Sequence, residues 1–285
     1  MRIGGHATTA GGLATGVRGY LDATAASVIQ VYVSNPRGWA RPDGVPQQDE
    51  AFRALCADRD VEVFIHACLL VNLGSPTPGT VEQSAATLRH ALRRGREIGA
   101  RGVVFHAGSW VSGDRGLDRA MKQVRATLLP ILDGIGDGDP RMLVEPSAGG
   151  GQCLAKRVED LGPYLAAVDG HPALGVCLDT CHAWAAGHDL AAPGGAAATL
   201  AALDAAVGLD RLWLIHANDS KDACGSARDR HENVGAGTIG VDGFAALLQH
   251  PTAAGLPVVV ETPGHKAHEG HAKDIATLRS LVPTP

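Results

Sequence analysis

Eight short runs of β-branched and apolar residues recur along the 285-residue chain, separated by alanine-rich helical stretches, and this alternation restricts the fold more than any other feature. The runs are Arg2–Gly5, Ser27–Val33, Val61–His66, Gly102–His106, Met142–Glu145, Leu174–Asp179, Leu212–His216 and Pro257–Glu261. Helix-like segments lie between them, such as Val81–Ile98, Arg115–Leu132, Val158–Val168, Ala196–Val207 and Val241–Gln249. Strands that are apolar almost throughout, alternating with helices, imply a parallel sheet covered by those helices. Eight βα units in fewer than about 300 residues match a closed (β/α)₈ TIM barrel. A doubly wound open sheet shows the same alternation, and periodicity alone does not separate the two. Gly4, Gly5, Gly11 and Gly12 form no G-x-G-x-x-G after a strand, which argues against a dinucleotide site. No shift in composition marks a second unit, so residues 1–285 read as a single domain. Pro36–Gln48, Gly74–Gly79 and Ala217–Gly240 read as loops, and the last is long enough to point to function.

The polar residues fall at particular places on this frame. The third run ends in His66, the fourth in His106, the fifth in Glu145 and the sixth in Asp179, with His182 just beyond. The seventh ends in His216 and the eighth in Glu261. In a barrel, all these C-terminal ends meet at one face, where active sites are assembled. A single His or Glu closing a strand is more often a hydrogen-bonded or solvated structural residue. Six in succession are harder to explain that way, because several carboxylates sharing a mouth repel one another. Divalent metal resolves the conflict, and a mixture of imidazole and carboxylate suits zinc, manganese or iron. In the loop after the seventh run, Asp229 and His231 are two apart and face the same way in extended chain. With His182 they could close a further metal site, although a solvated charged loop explains Arg228–His231 on spacing alone.

Composition excludes less. The formal charge of −5 runs against the basic balance of most DNA-binding domains. Carboxylates gathered on metal ions invert the local field, however, so net charge decides nothing. The six cysteines form no dense framework and read as reduced, mostly buried thiols, Cys177 and Cys181 included. The opening MRIGGHATTAGG lacks the apolar core of a signal peptide, and no run approaches the roughly 20 apolar residues that span a bilayer. A cytoplasmic protein without a membrane partner is the expectation.

The motifs LDTCHAWAAGHDL, HANDSK followed by GSARDRH and NVGAGTIG, and the opening IGGH with AGGL resemble the endonuclease IV family of apurinic/apyrimidinic endonucleases, essentially from end to end. The resemblance implies a (β/α)₈ barrel with a trinuclear zinc centre that incises duplex DNA 5′ to abasic sites and trims blocked 3′ ends. It places His66, His106 and Glu145 on a first zinc, and Glu145, Asp179, His216 and Glu261 around a second. It places His182, Asp229 and His231 on a third, with manganese an alternative occupant. Glu145 and Glu261 are the expected catalytic carboxylates, Glu145 as the bridge and Glu261 also orienting or deprotonating the attacking water. Arg37, Leu69, Leu70 and Asn72 match the positions that engage DNA, and a monomer is expected. The chain departs from the family at His66-Ala67-Cys68-Leu69-Leu70, where a tyrosine usually precedes the final Leu. It also departs at Pro146, where Asn usually follows the glutamate, and at Ala107, where Pro is common. These departures point either to a specialised relative with an altered lesion preference or to one weaker on ordinary abasic sites. A sugar isomerase or epimerase of the xylose-isomerase-like kind needs only one or two ions, so the surplus donors favour the nuclease. A lesion-binding protein without catalysis would have little use for all nine.

Overall fold

The computed structural model describes residues 1–110, 116–264 and 266–283. Eight parallel strands close into a barrel: β1 (Ile3–His6), β2 (Val28–Val31), β3 (Glu62–His66), β4 (Gly102–His106), β5 (Arg141–Glu145), β6 (Leu174–Asp179), β7 (Leu212–His216) and β10 (Val258–Val260). Each is hydrogen-bonded to its neighbours in chain order, and β10 pairs with β1 to complete the ring. Closure excludes the open doubly wound sheet. The helices α1 (Leu13–Thr24), α2 (Pro46–Asp58), α3 (Pro78–Ile98), α4 (Gly116–Leu132), α5 (Leu161–Ala167), α7 (Gly195–Val207), α8 (Gly240–Leu248) and α9 (Glu269–Leu281) follow the strands, with a short α6 (Thr180–Ala185) directly after β6. Among the described residues, no helix is long and apolar enough to cross a membrane.

Side chains alternate across each strand, and both faces are buried. Ile29, Ile65, Val103, Met142, Val176, Ile215 and Val258 join the large core shared with the helices. Val28, Phe64, Val104, Leu143, Cys177, Leu214 and Val259 form a second cluster, one residue from each of seven strands, that fills the barrel interior. The eighth strand contributes Gly4, where a β-carbon would collide with the Val28 carbonyl. Apolar residues on both faces explain why the strands read as continuous runs rather than alternating ones.

The sequence expectation of a helix after each strand gives no bounds for α1, α2, α6 and α9, and its starts at Val81, Ala196 and Val241 fall one to three residues late. Pro46 and Pro78 read as loop residues, yet each stands at the start of a helix. There the missing N–H is one the helix leaves unpaired anyway. The Ala217–Gly240 loop contains a small antiparallel ribbon, β8 (Asp219–Ser220) with β9 (His231–Glu232). Arg115, the expected start of the fourth helix, lies outside the described residues. All six cysteines are free; Cys56, Cys68, Cys177 and Cys181 are buried.

Candidate metal centre

Moving two residues along a strand returns to the same face. Two residues beyond the interior cluster stand Gln30, His66, His106, Glu145, Asp179, His216 and Glu261, and two beyond Gly4 stands His6. The polar ring is therefore the next inward layer of the barrel, with one member from each strand or its C-terminal edge. Strand pairing sets His106 beside Glu145 and Asp179 beside His216. Glu145, His216 and Asp179 are at most 1% exposed.

Three further donors come from outside the strands. His182 lies on α6, whose start is fixed by Asp179: its Oδ1 accepts from the His182 backbone N–H at 2.9 Å. Asp229 and His231 are carried by the loop after β7. Asp219 organises that loop, accepting hydrogen bonds from the backbone N–H groups of Ser220, Gly235, Gly237, Ile239 and Gly240 at 2.8–3.3 Å while fully buried. Replacing Asp219 by Ala strands these donors, and hydrogen bonds to a charged group contribute about 1.5–3 kcal/mol each. We expect Asp219→Ala to lower stability by at least about 3 kcal/mol. Amide exchange should rise first across residues 219–240, and denaturant unfolding with hydrogen exchange measures both effects.

All nine expected donors meet at the barrel mouth. One potential ligand atom each from His66, His106 and Glu145 lies within 4.8 Å of the others. The same holds for the set Glu145, Asp179, His216 and Glu261, which shares Glu145, and for His182, Asp229 and His231. The tautomers of three imidazoles follow from their partners. His66 Nδ1 lies 2.7 Å from the Ala67 carbonyl, His182 Nδ1 3.0 Å from that of Pro146 and His231 Nδ1 3.2 Å from that of Glu261. A carbonyl only accepts, so Nδ1 donates in each ring and, in the neutral form, Nε2 offers a lone pair. His182 Nε2 and His231 Nε2 are buried and make no hydrogen bond, yet they lie 3.3 and 3.0 Å from the Asp229 carboxylate. Lone pairs and carboxylate oxygens converging this closely fit a cation, and the carbonyl partners hold the rings as ligating histidines are usually held.

The electrostatics show the same concentration of charge. Burial opposes ionisation of Glu145, but His216, His182 and His66 outweigh it and hold the carboxyl well below its usual range. Burial would also lower His231, but Asp229 and Asp179 dominate and push it up to about 9. Burial prevails at His106, which falls to about 4.

Two members of the ring escaped the sequence reading. Gln30 Nε2 donates to Glu261 Oε1 at 2.6 Å, and Gln30 Oε1 lies 3.0 Å from His216 Nε2. His6 Nδ1 is 3.2 Å from Glu261 Oε1. The signal available was IGGH at the end of the first run, where the expected strand stopped one residue short of His6.

A cavity of about 1110 Å³ opens over the ring and is also lined by Arg37 and Leu69. Leu69, on the cavity wall, and its neighbour Leu70 are about 40% and 38% exposed, large apolar side chains facing solvent. Asn72 is turned inward: its Oδ1 accepts from Gly74 N and Ser109 N, each at 3.0 Å, and its Nδ2 donates to Ser109 Oγ at 3.0 Å. It ties two mouth loops together and does not join Leu69 and Leu70 at the surface.

Closed parallel barrel and donor ring together define a protein of the xylose isomerase-like class, and the family model described as "Xylose isomerase-like TIM barrel" matches residues 22–281. A Streptomyces coelicolor protein described as "Probable endonuclease 4" is 55% identical over 98% of this chain and 94% of its own length. The crystal structure of endonuclease IV from Thermus thermophilus superposes with a TM-score of 0.85 at 34% identity, covering 99% of this chain and 98% of that one. The chain belongs to the endonuclease IV family of apurinic/apyrimidinic endonucleases, which are hydrolytic enzymes. A D-tagatose 3-epimerase-like protein, with a TM-score of 0.73 at 17% identity over 99% of this chain and 95% of its own, shares the fold alone.

Proposed function

We propose that this chain hydrolyses the phosphodiester bond 5′ to abasic sites in duplex DNA, leaving a 3′-hydroxyl, and trims blocked 3′ ends, with three zinc ions held by the nine donors. His66, His106 and Glu145 hold the first, Glu145, Asp179, His216 and Glu261 the second, and His182, Asp229 and His231 the third, with manganese an alternative occupant. The observation that carries this reading is the third donor set, which a one- or two-metal isomerase does not need. The bound ions supply Lewis acidity that activates water at neutral pH and neutralises phosphate charge. Glu145 joins the first two sets, and its burial among imidazoles keeps it ionised for that task. Glu261, at the cavity wall, orients and deprotonates the attacking water.

An abasic nucleotide has no base to unstack, so extruding it into the cavity costs little. Arg37, Leu69 and Leu70 enter the gap it leaves, while Asn72 acts through the loop it ties. Leu69 has no aromatic face to stack on a base, and Pro146 has no side-chain hydrogen-bonding group, so these two departures shift preference towards particular lesions. Residues 1–285 work as one barrel domain, as a cytoplasmic monomer acting on damaged double-stranded DNA. The test is metal quantification on protein purified without added metal, followed by an assay of the same sample on duplex DNA with one abasic site. About three zincs per chain and a nick 5′ to the lesion are expected. One or two metals and no nick would move the assignment to a sugar isomerase, and lesion binding without cleavage would make it a non-catalytic binder.

A further inference from the structure

Gln30 is the one amide in a ring otherwise built of imidazoles and carboxylates, and it is fully buried on β2. Its two amide atoms have different neighbours, and those neighbours fix its orientation. Glu261 Oε1, 2.6 Å away, only accepts while the carboxylate is ionised, so the atom facing it is the NH₂. The opposite assignment would set the amide oxygen against a carboxylate oxygen at that distance. The amide oxygen then lies 3.0 Å from His216 Nε2 and only accepts, so His216 carries its hydrogen on Nε2. In the neutral ring this leaves the lone pair on Nδ1. That nitrogen faces the carboxylates, 3.1 Å from Glu145 Oε1, 3.4 Å from Glu261 Oε2 and 3.8 Å from Asp179 Oδ2. His216 thus differs from His66, His182 and His231, whose backbone carbonyl partners leave Nε2 as the free nitrogen. With Oε1 of Glu261 tied to the amide, Oε2 is the oxygen turned towards His216 Nδ1.

We infer that Gln30 is a positioning residue that orients His216 and Glu261 together, setting the tautomer of the first and the inward-facing oxygen of the second through one planar amide. The inference rests on the metal centre proposed above. Gln30 is not part of the cavity wall, so it reaches DNA only through the residues it touches: Glu261, His216 and His6, whose Nδ1 lies 3.1 Å from Gln30 Nε2. A side-chain amide suits this task because it donates and accepts about 2.2 Å apart in a fixed plane, which neither a carboxylate nor an aliphatic group reproduces. Partners of this kind typically change metal affinity about 10–100-fold when removed.

The experiment compares zinc-loaded wild-type protein with Gln30→Leu and Gln30→Glu. Three quantities are read: zinc retention against a competing chelator, the ring ¹⁵N shifts of His216, and kcat and KM on abasic duplex. Wild-type His216 should show a protonated Nε2 and a ligating Nδ1. Gln30→Leu should lose zinc about 10–100-fold more readily and lower kcat with KM unchanged. Gln30→Glu keeps an acceptor for His216 but faces Glu261 with a second carboxylate. It should therefore retain the His216 signature while kcat falls. A wild-type His216 protonated at Nδ1 overturns the inference without any variant, and so does Gln30→Leu with wild-type zinc retention and kcat. Should Gln30→Leu not fold, the near-isosteric Gln30→Glu and the wild-type spectrum still decide. Wild-type protein that holds zinc with the expected His216 tautomer but does not nick abasic DNA overturns the proposed activity and leaves the role of Gln30 standing.

Discussion

Glu261→Gln should lower kcat on abasic duplex DNA by about 10²–10⁴-fold, the range general-base catalysis supplies. Three features of the residue carry this expectation. It follows β10 directly and lies at the cavity wall, so it is within reach of a substrate that the buried Glu145 is not. Its backbone N–H donates to Asn218 Oδ1 at 2.7 Å, and its Oε1 accepts from Gln30 Nε2 at 2.6 Å, so main chain and side chain are both held. Burial disfavours its charge, but His216, His6 and His66 outweigh that and keep the carboxyl below its usual range, so it stands ionised beside the cavity. Glutamine preserves the shape and one oxygen while removing the basic site. KM should change little, because the residues proposed to contact DNA at the rim, Arg37, Leu69 and Leu70, are left unchanged. Turnover at the wild-type rate would eliminate a proton-accepting role for Glu261, and metal quantification on the same variant separates lost chemistry from lost zinc.

Exhaustive chelation should abolish nicking and lower the melting temperature by at least about 5–10 °C, with both restored by zinc. A ligand present at a hundred times its Kd stabilises the folded state by about 2.7 kcal/mol per site, and 1 kcal/mol moves Tm by about 2–4 °C in a domain of this general size. The donor sets come from β3, β4, β5, β6 and β7, the segment after β10, α6 and the loop beyond β7, so metal bound there cross-links most of the barrel. Differential scanning calorimetry before and after chelation measures the shift, and nicking of abasic duplex measures activity. Unchanged melting after complete metal removal would show that the ring is held by its own hydrogen bonds and ion pairs.

Much of this was legible in the chain, for a definite reason. Burial on both faces makes the barrel strands continuous apolar runs, so the residue that breaks each run marks its C-terminal end. His66, His106, Glu145, Asp179 and His216 are also the last residues of their strands in the structure. His6 and Gln30 were lost where that cue fails. The first strand is half glycine, IGGH, and offers little apolar contrast. Gln30 is followed by the apolar stretch Val31–Val33, so it reads as an interruption within a strand rather than as its working end. Spacing from the interior layer would have found both, but that layer is known only once the barrel closes. The bounds of α1 and α2 were blurred by glycine and proline near their starts. The inward turn of Asn72 depends on Ser109, thirty-seven residues away in sequence, and no local pattern encodes it.

The donors divide by what carries them. Those from the strands are fixed by the hydrogen-bonded wall of the barrel, whereas Asp229 and His231 hang from a ribbon pinned at its root by one carboxylate, Asp219. The centre is therefore modular: a rigid socket common to the architecture, and an attached arm that completes it. Insertion or loss of such an arm leaves the barrel's closure untouched. A lineage, or a designer, can thus add or remove two of the three donors in the His182, Asp229 and His231 set by editing one loop of about twenty residues, while His182 stays in place on α6.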